Sequence, residues 1–359
     1  MHIEWLRVQN VRNLTDVIIE QSPGINIFTE PNASGKTAIL EAIHFLSRAR
    51  SFRTTRVSEI IQHQKDILLV TANIQHPRFG RVKTGIERKQ GKTSILYKGE
   101  SVKKLSQQAS NIPLILITTN THRLITGTPK YRRHWLDWAL FHVEPAYLKI
   151  WYDYHRSLRH RNSLLKSGIT VGEQLSGWEY LMVEAANKIN TLRGDFIKQL
   201  QKIVSKYTQE VFSDQPHLTL LSGWPEDKSL NLCLELGRES DKQIGYTRHG
   251  VHRADIKFSD NSYRLSSTYS QGQIKLFVAT VLVAQARLFE ERTGNKPFFL
   301  IDDFAAELDT QARAEFISLL IKQKAQVFLT TTETSPETLT TGPSMMFHVE
   351  RGTFTKVAK

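Results

Sequence analysis

The stretch EPNASGKT, Glu30 to Thr37, sets a lysine and a threonine where a short loop meets an amphipathic segment. A phosphate-binding loop needs that arrangement, because backbone N–H groups at a helix start cradle phosphates and the helix dipole adds positive potential. In this reading Lys36 neutralises the β- and γ-phosphates of ATP, and Thr37 offers its hydroxyl to Mg²⁺. Asn32, Ser34 and Gly35 complete the nucleotide-binding loop. The loop also departs from the usual glycine pattern. Glu30 stands where glycine is customary and brings a carboxylate near polyphosphate. Pro31 removes a backbone donor. Ala33 would hold a positive φ at a cost of about 1–2 kcal/mol. The expectation is weakened nucleotide affinity.

A second set of chemically able residues lies in FFLIDDFAAELD, Phe298 to Asp309. An apolar run ending in two aspartates fits a buried strand that delivers carboxylates to its C-terminal end, where α/β sheets bind ligands. Asp302 is the expected Mg²⁺ ligand, and Asp303 the group that orients or deprotonates an attacking water. Between the two anchors, YSQGQIK opens an apolar helical stretch with Ser270, Gly272 and Gln273. Such a signature would meet the γ-phosphate of a nucleotide held by a second copy of the chain, so that two heads sandwich two nucleotides. Asp309, six residues beyond Asp303, fits the same dimer interface.

The elements that must carry these residues are legible from periodicity. Strands are predicted at Ile3–Val8, Val17–Ile19, Ile25–Thr29, Ile67–Ile74, Lys83–Arg88 and Thr93–Tyr97. A helix is predicted after Lys36, with Ile39, Leu40, Ile43 and Leu46 on one face. Residues 131–211 read as helical, and the aromatic stripes Trp135/Trp138 and Tyr147/Trp151/Tyr154 read as core. Strands are predicted again at Leu230–Leu236, Asp255–Phe258, PFFLI and Gln326–Thr332, with a long helix after Ser270. The one cysteine, Cys233, reads as a buried apolar residue, which excludes an internal disulfide. His249, His252 and Asp255 lack the spacing of a metal site.

A net charge of +13 points to a polyanionic partner. SRARSFRTTR carries Arg48, Arg50, Arg53 and Arg56. Residues 121–170 hold nine lysines and arginines against three acidic residues, with Arg132 and Arg133 adjacent. These are the candidate patches for binding DNA, with RNA or an acidic membrane face as the other polyanions open to them. No signal-peptide pattern or membrane-spanning run is expected, so the chain reads as cytoplasmic and not membrane-associated.

Taken together, VQNVRNL, SGKTAILEAIHFLSRARSFR, PKYRRHWLDW, HRNSLL, HGVHRADI, YSQGQIK, LIDDFAAELD and QVFLTTT resemble the RecF family over nearly the whole chain. PKYRR and LIDDFA resemble its gammaproteobacterial branch. The resemblance implies an α/β fold: an ABC/SMC-type P-loop ATPase head (1–120 and 245–359) with an inserted, mainly helical arm domain (121–244). It implies a recombination mediator that dimerises on ATP and binds duplex DNA near single-strand gaps. With RecO and its direct partner RecR, it would promote RecA loading and support the SOS response. ATP turnover would be slow and act as a switch. Arg12 and Asn13 would join the nucleotide pocket. Val251 replaces a family proline, and Thr119–Thr121 replaces an acidic turn. Two other readings stay open: the ATPase subunit of a transporter, and a non-hydrolysing DNA-binding scaffold with a degenerate phosphate loop.

Overall fold

Side chains alternate between covered and uncovered faces along the early strands, as the period of two demands. The computed structural model describes every residue except 30–34, 170–171, 210–211, 213–214, 261–262, 304–307, 333–343 and 358–359. In chain order the elements are β1 (His2–Val11), β2 (Leu14–Glu20), β3 (Ile25–Thr29), α1 (Lys36–Arg48), β4 (Ile67–His76), β5 (Gly80–Lys89), β6 (Lys92–Tyr97) and β7 (Glu100–Ser101). Next come α2 (Leu105–Asn111), β8 (Leu114–Thr118), α3 (Arg123–Thr126), α4 (Pro129–Val143), α5 (Tyr147–Lys166), α6 (Glu173–Thr208), β9 (Pro216–Leu221) and α7 (Leu230–Ile244). The chain ends with β10 (Asp255–Asp260), β11 (Tyr263–Arg264), α8 (Leu265–Thr268), α9 (Gln271–Thr293), β12 (Phe298–Asp302), α10 (Thr310–Gln323), β13 (Val327–Thr331), β14 (Ser344–Glu350) and β15 (Thr353–Val357).

Two units divide the chain. The first comprises residues 1–121 and 271–359 and contains two six-stranded sheets. One is antiparallel, in the order β2-β1-β4-β5-β6-β7. The other runs β15-β14-β3-β13-β12-β8 and is parallel throughout except for β15. An apolar core joins Ile3, Leu6 and Val8 of β1, Ile39, Leu40 and Ile43 of α1, and Phe28, Leu300 and Phe328 of the parallel sheet. Helix α9 is long and apolar enough, by length and composition, to cross a membrane, which the sequence reading did not expect. Most of its apolar window is buried, and the helix packs on α10 and β8.

The second unit, residues 122–270, is mainly helical and carries the small antiparallel sheet β11-β10-β9. Strand β10 pairs with β9 from Asp255↔Leu221 to Asp260↔Pro216. That pairing groups residues 245–270 with the helical unit and moves the expected boundary at 244/245 to 270/271.

Leu230–Leu236 also corrects the sequence reading, because it is helix and not strand. Ser229 caps α7 by accepting the Leu232 N–H at 3.2 Å. The buried positions Leu230, Cys233, Leu234, Gly237 and Asp241 follow helical spacing. Leu232 and Leu236, which suggested alternation, are exposed.

Candidate nucleotide site

Parallel register brings the chemistry to one edge of the first unit. Asp302 at the end of β12 pairs with Thr330 of β13, and Thr331 pairs with Thr29 of β3. The chain after Thr29 leads into α1, whose first residues, Lys36 and Thr37, arrive beside the aspartates. Thr37 Oγ1 donates to Asp302 Oδ1 at 2.9 Å, and Thr330 Oγ1 donates to the same oxygen at 3.0 Å. Lys36 is buried and donates to the Thr331 carbonyl at 3.0 Å. The Asp303 N–H donates to Thr330 Oγ1 at 2.9 Å. Asp303 adopts φ +48°, and its Oδ1 is buried with no hydrogen-bond partner among the described residues. Thr330 and Thr331 therefore join the site. In the sequence they are only a strand end, although hydroxyls at the carboxyl end of a buried parallel strand are a usable signal.

Burial raises the Asp302 pKa above the usual carboxylate value. Asp303 adds to the rise, while the bonds from Thr37 and Thr330 and the charge of Arg53 oppose it. A carboxylate and a threonine hydroxyl already within hydrogen-bond distance supply hard oxygen ligands of the kind Mg²⁺ takes. Gly35 has φ +126°, and a Cβ there would lie 3.1 Å from Asn13 Nδ2 and 3.2 Å from Leu14 Cδ2. Glycine is needed at that position for conformation and for space. The same geometry sets Asn13 against the entry to α1.

Arg12 spans Glu41, with Nε donating to Oε2 at 2.8 Å and Nη2 to Oε1 at 2.9 Å. Ser270 and Gln273 are exposed where α9 starts, and Gly272 is partly covered. Asp309 caps α10 by accepting the Ala312 N–H at 2.8 Å. Glu30, Asn32, Ala33 and Ser34 lie outside the described residues, as does part of the stretch after Asp303.

The arginines separate into two groups. Arg50, Arg53 and Arg56 are exposed in the turn after α1. Its start is fixed by His44, whose Nδ1 lies 2.7 Å from the Arg50 carbonyl. A carbonyl only accepts, so this nitrogen carries the proton. Burial, assisted by Arg48, lowers the His44 pKa to about 3 and keeps the ring neutral. The other three turn toward the protein, and only Arg132 of them is buried. Arg48 turns inward toward the Leu114 carbonyl at 3.3 Å, and burial lowers its pKa to about 9. Arg132 is buried and forked onto Asp255 at 2.6 and 3.0 Å. Arg133 donates to the Ala254 carbonyl at 2.8 Å. Asp255 is thereby occupied, and His252 bonds Tyr154 Oη at 2.6 Å and the Thr247 carbonyl at 3.0 Å.

A parallel sheet with a GKT loop and strand-end aspartates, interrupted by a helical insert, defines an ABC/SMC-type ATPase head. The family described as RecF/RecN/SMC N terminal domain matches residues 2–354. Two Smc head structures share the fold, one of them from Pyrococcus furiosus, with TM-scores of 0.57 and 0.59 at 15% and 16% identity. Those two span 99% of this chain and 97% and 96% of theirs.

More specifically, the chain belongs to the RecF family. It is 35% identical to the DNA replication and repair protein RecF of Pseudomonas entomophila over 99% of this chain and 98% of that protein. Its identity to RecF of Vibrio vulnificus is also 35%, over 98% and 99%. A solved structure of the recombination mediator protein RecF with ATP, in the RecFOR pathway, superposes with a TM-score of 0.87 at 25% identity. The match covers 99% of this chain and 98% of that one.

Proposed function

We propose that this chain is an ATP-dependent recombination mediator that dimerises on ATP and binds DNA beside single-strand gaps. With RecO and RecR it promotes loading of RecA. The observation that carries the reading is the convergence of Lys36, Thr37, Asp302 and Asp303 at one end of the parallel sheet. Lys36 would bind the phosphates, Thr37 and Asp302 would hold Mg²⁺, and Asp303 would hold the attacking water. A Mg²⁺ held there would supply neutralisation of phosphate charge. Arg12, Asn13, Asn32, Ser34 and Gly35 shape the nucleotide pocket. Ser270, Gly272, Gln273 and Asp309 act across the dimer. RecF with ATP has been solved, which supports ATP as the ligand here.

Sedimentation velocity with and without Mg-ATP tests the switch. Wild type is expected to shift from monomer to dimer, and Lys36→Ala to remain monomeric. A wild-type monomer under both conditions would favour the non-hydrolysing scaffold instead.

DNA contact is assigned to Arg50, Arg53 and Arg56. Reversing charge at Arg53 and Arg56 is expected to weaken duplex binding and to lower the salt slope by about 2, one for each phosphate that is no longer neutralised. An unchanged slope in a fluorescence-anisotropy titration would remove the turn from the DNA site.

A further inference from the structure

One carboxylate connects the nucleotide side of the first unit to its basic turn, and no step of ATP chemistry uses it. Glu41 lies on α1, one turn beyond Thr37, and is fully buried. A buried carboxylate is tolerated only when it is paired and hydrogen-bonded. Glu41 meets that need in two directions. Both oxygens receive the Arg12 fork at 2.8 and 2.9 Å. Oε1 also accepts a short hydrogen bond from Ser51 Oγ.

Ser51 Oγ in turn accepts the N–H groups of Arg53 at 2.9 Å and Thr54 at 3.1 Å. One hydroxyl thus sets the turn from which Arg53 projects, and the Arg53 charge is felt at Asp302. On the opposite side, Arg12 Nη1 donates to the Glu59 carbonyl at 2.6 Å, and the Arg12 N–H to the Ile60 carbonyl at 2.8 Å. Arg12 holds φ +53°, a strained conformation for arginine that persists where surrounding bonds over-determine it. Its neighbour Asn13 packs against Gly35. Close packing of Asn13 on Gly35 is therefore continued, from Arg12 through Glu41 and Ser51, by hydrogen bonds that reach the basic turn.

We propose that Glu41 is a positioning residue that couples nucleotide occupancy to the placement of the basic turn 50–56 on DNA. The inference rests on the ATP-dependent DNA binding proposed above. Arg12 commits three of its five N–H donors to protein partners. The other two can meet nucleotide. Any shift of the guanidinium moves the oxygens it grips, and Ser51 passes that shift to the Arg53 turn. A brace with no coupling role would weaken DNA binding equally with and without nucleotide.

The test measures duplex affinity by fluorescence anisotropy, with and without Mg-ATPγS, and nucleotide affinity by fluorescence of an N-methylanthraniloyl-ATP. Full-length wild type, Glu41→Gln, Ser51→Ala and Ser51→Thr are compared. Wild type is expected to gain about tenfold in DNA affinity with ATPγS, within the usual range of coupling between sites. Ser51→Ala is expected to lose that gain while its nucleotide affinity stays at the wild-type value. Ser51→Thr, which keeps the hydroxyl, should retain the gain, and Glu41→Gln should lose both the gain and nucleotide affinity. A Ser51→Ala protein that keeps the full gain, or that loses DNA affinity equally in both conditions, overturns the coupling alone. A wild type with no gain overturns the ATP-dependent reading and the coupling with it.

Discussion

Replacing Asp303 with asparagine is expected to slow ATP turnover by about 10²–10⁴-fold, the contribution typical of a positioned general base. The ATP-dependent dimer should survive the change. Asp303 sits at φ +48°, and asparagine is among the few residues that adopt the left-handed region readily. Backbone geometry and the N–H bond to Thr330 should therefore persist. What disappears is the negative charge on a buried oxygen that has no partner among the described residues. Lys36 and Thr37 are untouched, so nucleotide should still bind and close the dimer. A dimer closed on ATP that cannot hydrolyse its nucleotide should stay closed, so the variant should hold duplex longer in the presence of Mg-ATP. Single-turnover hydrolysis and DNA dissociation rates measured on the same preparation decide the matter. Wild-type turnover in Asp303→Asn would remove this residue from the chemistry and return attention to the scaffold alternative.

The second large effect concerns Arg161, which lies in the stretch whose basic excess suggested DNA contact. It is fully buried in the helical unit. Its guanidinium donates to Glu179 at 3.0 Å, Asp241 at 2.8 Å, Thr247 at 2.8 Å and the Leu234 carbonyl at 3.2 Å. These bonds join α5, α6 and α7 through one side chain. Arg161→Met should destabilise this unit by about 3–5 kcal/mol, because it strips a partner from two buried carboxylates. Arg238 and Arg248 still pair with Glu179 and Asp241, which places the expectation toward the lower end. Urea denaturation and amide exchange across α5–α7 provide the readout. Full stability in Arg161→Met would show that the cluster is not the brace its geometry describes.

The GKT loop, the strand-end aspartates and most early strands were legible because their signals are local. A period of two or 3.6 reports backbone conformation, and a loop motif reports its own flanks. Ile25–Thr29 was read at its observed limits for that reason. Leu230–Leu236 failed because an exposed leucine and a buried one look alike in a short apolar run, and the deciding cap at Ser229 lies just outside it.

The fates of the arginines were beyond any local signal. Arg132 meets Asp255 and Arg161 meets Asp241 across 123 and 80 residues of chain, so their pairing depends on how the helices and β10 are packed. Local composition located the positive charge, while tertiary contacts decided which cations remained at the surface. The same holds for Thr330, Thr331 and Glu41. Strand register delivered the threonines to the site, and only the folded turn placed Ser51 and Arg12 on one carboxylate. Residue type and spacing thus determined the chemistry available to this chain, and packing between distant segments decided which side chains are free to perform it.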